Sequence, residues 1–167
     1  MSRFVLIGIL LTITTLTLVA CEPKDRRAGL WLSGEVVTAP VTDWSFSNAH
    51  NEIFIETNTV YLVPHSVTTT VVTSAGTLYV PSLYQGGGEF PSERYWNRNI
   101  ARDPNVRLKI GDEIYERRAS LVTDPDERTK VLAAFAAKYE YWRELLKNGD
   151  PERPKIILLR MDPRNPA

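Results

Sequence analysis

The side chains able to bind or transform a small molecule concentrate between His65 and Asn99. His65 and Ser66, with Thr68 and Thr70 after them, place an imidazole and several hydroxyls on one strand-like run, in which alternate residues share a face. Ser82 and Tyr84 end the next such run, and Arg94, Trp96 and Asn99 follow on a short helical stretch. A guanidinium at Arg94 or Arg98 can grip a phosphate through parallel N–H bonds, and the indole of Trp96 can stack on a flat ring. These types suggest recognition of a flat small molecule, with or without a phosphate. Each also has an ordinary structural role open to it: threonines on the solvent face of a strand, Trp96 as a core plug, Arg98 paired with Asp103.

Other chemistries find less support. The chain has no G-x-S-x-G elbow, no Walker loop and no G-x-G-x-x-G, so a hydrolase or nucleotide-binding motif has no anchor. His50 and His65 are the two histidines, with no H-x-x-x-H spacing, and no metal site is expected. His50, in Ser47-Asn-Ala-His-Asn, reads as a loop residue. Asp124 and Asp126 are explained by capping a helix rather than by paired-carboxylate catalysis.

The elements that must position these groups are mostly β. Trp31–Thr38, Glu52–Asn58, His65–Thr73, Thr77–Ser82, Val106–Ile110, Glu113–Thr123 and Lys155–Met161 carry β-branched, aromatic or alternating patterns. Ile53 and Ile55 fall on one face, with Glu52, Phe54 and Glu56 on the other. Ser74-Ala-Gly76 and Gly111-Asp112 supply hairpin turns, and the last, apolar strand is expected to be central. Arg94–Arg102 predicts a short helix. Asp124-Pro-Asp-Glu127 has an N-cap, a first-turn proline and a third-position carboxylate. Val131, Leu132, Phe135, Ala136, Tyr139, Trp142, Leu145 and Leu146 continue at helical spacing until Asn148-Gly149, so one long helix is expected. Tyr141 lies off that stripe and suits an interface. The sum is an α+β, mostly antiparallel, six-stranded split barrel with one long and one short helix.

The 167 residues carry 20 basic and 20 acidic side chains, a balance that argues against nucleic acid as a partner. Arg3 precedes an uncharged run, Phe4–Ala20, which has the layout of a secretory signal. That run closes on Leu18-Val-Ala-Cys21, which resembles the lipobox of bacterial lipoproteins. The resemblance implies cleavage before Cys21, a lipid on its sulfur, and outer-membrane sorting through Glu22, facing the periplasm. Residues 1–20 then form a signal peptide, residues 21–29 a lipidated tether holding the domain off the membrane, and residues 30–167 the domain. Cys21 is the single cysteine, so neither an intramolecular disulfide nor a second thiol is available.

Gly76-Thr-Leu-Tyr-Val-Pro-Ser82, the Gly86–Gly88 loop, Arg94-Tyr-Trp-Asn-Arg-Asn99, Asp103-Pro-Asn-Val106 and Tyr115–Val122 together resemble the split-barrel flavin-binding superfamily. Within it the deazaflavin-dependent nitroreductase-like and pyridoxamine-phosphate-oxidase-like proteins are most similar. The match covers roughly residues 50–162, with Trp96-Asn-Arg-Asn99 and Asp103-Pro-Asn-Val106 its most specific parts. It implies an FMN or deazaflavin cofactor held by His65, Ser66, Thr68, Ser82, Tyr84, Arg94, Trp96 and Asn99, an oxidoreductase activity, and a homodimer. The chain departs from the family at Glu56-Thr-Asn-Thr-Val60, where the deazaflavin branch has basic and hydroxyl residues for phosphate. That departure favours the alternative, a non-enzymatic ligand-binding or envelope-interaction lipoprotein that has lost the cofactor site.

Overall fold

A computed structural model describes residues 29–61, 63–86, 88–147 and 154–164. The signal segment, Cys21, most of the tether and the Asn148-Gly149 helix stop lie outside the described residues. Among the described residues eight strands, rather than six, form one sheet: β1 (Glu35–Val37), β2 (Glu52–Asn58), β3 (Pro64–Thr70), β4 (Val72–Ser74), β5 (Thr77–Tyr84), β6 (Asn105–Ile110), β7 (Glu113–Leu121) and β8 (Lys155–Pro163). Three helices accompany them: α1 (Tyr95–Arg102), α2 (Pro125–Lys138) and α3 (Glu140–Lys147), with a 3₁₀ turn at Ser45–Ala49. The strand order is β3-β2-β6-β7-β8-β5-β4, antiparallel throughout; β1 adds in parallel to Glu113–Tyr115 of β7. The sheet is curled into a half-barrel.

Two differences from the expected strands have local causes. The expected strand over Trp31–Thr38 shrinks to β1, because its first residues cross the outside of the sheet and spend their polar groups on side chains. The Leu32 N–H donates to Glu56, and the Leu32 and Ser33 carbonyls accept from Arg107 (3.3 Å) and Lys109 (2.7 Å). The expected strand over His65–Thr73 breaks at Val71. There the Tyr139 hydroxyl accepts from the Val71 N–H at 3.2 Å and lies 2.8 Å from the Val71 and Asn51 carbonyls. The Lys138 ammonium donates to the carbonyls of Val71 (3.0 Å), His50 (2.6 Å) and Ser47 (3.2 Å). Burial lowers the pKa of this amine from its ordinary value.

The same anchorage divides the expected long helix. Tyr139 leaves helical geometry (φ −121°, ψ 129°), so α2 ends there and α3 starts one residue later. The start of α2 is as expected: the Glu127 N–H donates to the Asp124 carboxylate at 2.7 Å, and Pro125 occupies the first turn.

β8 lies between β7 and β5 and is buried on both faces, which explains its unbroken apolar run. Inside the curl, Ile53, Ile55, Val80, Leu108, Leu159 and Met161 pack with Trp96 and Ile100 of α1. Outside it, Val131, Phe135 and Trp142 of α2 and α3 cover Val72, Tyr79, Ile156 and Leu158. Phe135 and Trp142 lie 4.5 Å apart between ring centres.

The β4–β5 hairpin turns through two residues with positive φ, Ala75 (47°) and Gly76 (74°), between the paired Ser74 and Thr77. This is the type I′ pattern that matches strand twist. An L-residue with a Cβ is costly in this region, by roughly 1 kcal/mol, and asparagine tolerates it better. Ala75→Asn is therefore expected to raise the urea unfolding free energy by about 0.5–1 kcal/mol. A loss of stability would show that the turn is not of this type.

Candidate functional site

Two strand edges without strand partners flank the seam of the half-barrel: the outer edge of β3 and the second half of β5. On β3 the Ser66 N–H donates to the Gly29 carbonyl at 3.1 Å, on the side away from β2. Alternation then turns the backbone groups of Thr68 and Thr70 to the same edge. On β8 the Leu158 carbonyl accepts from the Val122 N–H at 3.0 Å, away from β5, and Leu158 pairs with Pro81. Pro81 and Leu83 therefore turn their backbone away from β8. Proline suits that edge because no N–H is wanted there. Arg94, from the N-cap of α1, donates to the Leu83 carbonyl through Nε (3.1 Å) and Nη2 (2.8 Å) and so occupies the edge of β5.

Between these edges lies a cavity of about 320 Å³, within the size range of small-molecule sites. Its walls are Val67–Thr70 of β3, Pro81–Leu83 of β5, Arg94 and Trp96 of α1, and Tyr141 and Trp142 of α3. Thr68, Ser82, Arg94 and Trp96, four of the residues named from sequence, thus converge here together with Thr70. Trp96 does both jobs considered for it, since it belongs to the core cluster and also forms a wall. Tyr141, expected at an interface, sits at the cavity beside Trp142.

The other four named residues do not line this cavity. His65 packs edge-on against Tyr95, 5.3 Å between ring centres, and its Nδ1 is buried without a partner. The Ser66 hydroxyl accepts from the Gly29 N–H at 2.9 Å and ties down the entering chain. Asn99 is buried and donates to the Thr57 hydroxyl (3.0 Å), which donates on to the His65 carbonyl (3.1 Å). Tyr84 is also buried, and its hydroxyl accepts from Asn97. Arg98 does not pair with Asp103: it lies over the Tyr95 ring at 5.3 Å, while Asp103 accepts from Asn58 (2.8 Å) and Asn105. Burial acts to raise the Asp103 pKa, but those bonds outweigh it and leave the pKa below the usual value.

Asn97 is the site-supporting residue that sequence reasoning passed over. Fully buried, its amide nitrogen donates to the Ser82 Oγ at 2.6 Å and the Tyr84 hydroxyl at 2.5 Å, and its Oδ1 has no partner. Turning the amide over would leave the nitrogen orphaned instead, so one end is unmatched in either assignment. With Oγ accepting from Asn97, Ser82 keeps its own proton for a further donor bond. The signal was an asparagine at the same helix face as Ile100, among apolar neighbours, where an amide needs a polar partner.

Glu56, which departs from the family pattern, lies on the outer face of β2 and is 4% exposed. It accepts from Arg107 at 3.0 Å and from the Leu32 N–H, beneath the crossing N-terminal segment. It adds no charge to the cavity, and it engages a nearby cation. Among the described residues no group of three or more His, Cys, Asp or Glu side chains is arranged to hold a metal.

No protein-family model matches the sequence, and no curated protein matches it either. Solved structures do share the fold. One, from Listeria innocua and provisionally named a pyridoxamine 5′-phosphate oxidase, is 16% identical with a TM-score of 0.50, over 71% of this chain and 88% of that one. The heme storage protein HutZ from Vibrio cholerae is 18% identical with a TM-score of 0.52, over 72% and 87%. A third chain, described as a domain-swapped dimer, is 18% identical with a TM-score of 0.50, over 68% and 81%. At these identities the likeness establishes a split-barrel fold and nothing finer.

Replacing Asn97 by leucine removes both bonds and strands two buried hydroxyls. Asn97→Leu is expected to lower the urea unfolding free energy by about 2 kcal/mol. A change no larger than that of an exposed substitution would show that the amide supports neither hydroxyl.

Proposed function

We propose that this chain is an envelope lipoprotein whose half-barrel holds the flat ring of a flavin-type cofactor, FMN or a deazaflavin, in the cavity between β3 and β5. The carrying observation is the cavity itself: two unpaired strand edges, an indole wall and a buried amide–hydroxyl pair meet at one place. The residues fit a planar ligand with polar edges. Trp96 would lie against the ring, Ser82 would donate to a ring acceptor, and the backbone groups of Thr68 and Thr70 would take its remaining edge. Arg94 spends Nε and Nη2 on Leu83 and keeps Nη1 for a phosphate. A bound flavin would supply electron transfer, with the protein setting its position and excluding water. Fold likeness to a protein named as a pyridoxamine 5′-phosphate oxidase and to a heme storage protein supports a conjugated ring as the ligand. Leu18-Val-Ala-Cys21 after an uncharged apolar run supports the lipid anchor and the outer-membrane, periplasm-facing location. The neighbouring domain-swapped dimer and the exposed Tyr141 at the cavity support a homodimer.

A second reading rests on the charge of the cavity. Among its described lining residues Arg94 is the one cation. A site so short of positive charge also suits an uncharged ligand in a binding protein without redox chemistry.

The full chain in detergent, titrated with FMN, riboflavin, deazaflavin and heme, separates these readings. Binding of a flavin, weakened about tenfold or more by Trp96→Ala, is expected, that factor being ~1.4 kcal/mol. Arg94→Ala is expected to weaken FMN and leave riboflavin unchanged. Uptake of none of them would remove the cofactor reading and leave the binding protein, whereas uptake of heme alone would replace flavin.

A further inference from the structure

The end of the domain where the chain enters carries an apolar surface that neither the cavity nor the fold uses. The β2–β3 turn exposes Val60 (61%) and Tyr61 (80%), with Val63 beside them. Tyr95, at the start of α1, is exposed next to His65, the second residue of β3. Gly29 is bonded to Ser66, one residue further along, and the exposed Leu30 follows it. The cations at this end are Arg98, lying over Tyr95, and Arg102, which donates to the Asn58 carbonyl. The nearby carboxylate of Asp103 is spent on Asn58 and Asn105.

We infer that this end is a bilayer-contact surface, which seats the domain directly on an anionic lipid headgroup layer. Three observations choose lipid over another occupant. Aromatic rings mixed with aliphatic side chains and flanked by arginines are the composition favoured at a headgroup boundary. The polypeptide enters the domain at this same end, and residues 22–29 span at most about 28 Å even when fully extended. That segment adds Lys24, Arg26 and Arg27 against Glu22 and Asp25, a further cationic excess on the side of the apolar run. An anchor at Cys21, which this step takes from the proposed function, would therefore hold this surface at the membrane. The inference concerns a surface separate from the cavity and stands whatever the cavity binds.

Hydroxyl-radical footprinting of the full chain on preformed vesicles of phosphatidylethanolamine and phosphatidylglycerol tests it. By exposure alone Tyr61 (80%) should react faster than Tyr141 (59%). On vesicles the order is expected to invert, with Tyr61 and Tyr95 about fivefold slower than Tyr141, since buried interfacial rings lose solvent contact. Tyr61→Ser with Val63→Ser, both exposed positions that leave the core intact, should return Tyr95 to its rate in solution. Tyr61 remaining faster than Tyr141, Tyr95 staying protected in the double variant, or a chain that does not partition with vesicles would each overturn the inference. The intact mass of the purified chain reports separately on the lipid at Cys21, so protection with an unmodified cysteine would sink the anchor and keep the surface.

Discussion

β3 and β4 lie at opposite ends of a seven-strand path, yet Val71 alone separates them in the chain. A flat sheet cannot satisfy that connection, so the sheet has to curl until its two ends meet at one residue. Val71 is fully buried, and its backbone is held by the Tyr139 hydroxyl and the Lys138 ammonium instead of by a strand partner. This clamp is what the half-barrel depends on. The break between α2 and α3 falls at the same joint, at Tyr139 and directly after Lys138.

The cavity follows from the same joint. β4 pairs with β5 only over Val72–Ser74 and Thr77–Tyr79. Beyond it β3 and the second half of β5 diverge with their backbone groups unpaired by strands. Unpaired edges invite non-specific association, and here each is guarded differently: β5 by Pro81 and by Arg94 on Leu83, β3 by the entering chain at Ser66. What remains between them is lined by backbone and hydroxyl groups of the two strands and by the rings of Trp96, Tyr141 and Trp142. Asn97 joins the hydroxyls of Ser82, which lines the cavity, and Tyr84, which does not.

Local patterns were legible. The β2, β5, β6, β7 and β8 segments, the Asp124 cap, both hairpin turns and the short helix follow from alternation, turn chemistry and capping, all decided within a few residues. Thr68, Ser82, Arg94 and Trp96, grouped in the sequence by their side-chain types, line one cavity. What was hidden depends on contacts between distant residues. Nothing near Val71 announces a break, since the Lys138 amine and Tyr139 ring that cause it lie more than sixty positions away. His65, Ser66 and Asn99 have the right chemistry, but the tertiary fold spends it on Tyr95, Gly29 and Thr57. Glu56 looked like a lost phosphate site, and its position on the outer face gives it a different task, closing an ion pair under the N-terminal segment.

The central claim is that the open seam between β3 and β5 is where a ligand binds. Residue-resolved amide exchange of the chain with and without FMN tests it most directly. Slower exchange at Thr68, Thr70 and Leu83, with a shift of the Trp96 indole resonance, is the predicted result. Unchanged exchange at those amides, with shifts confined to the outer face around Glu56 and Arg107, would contradict it.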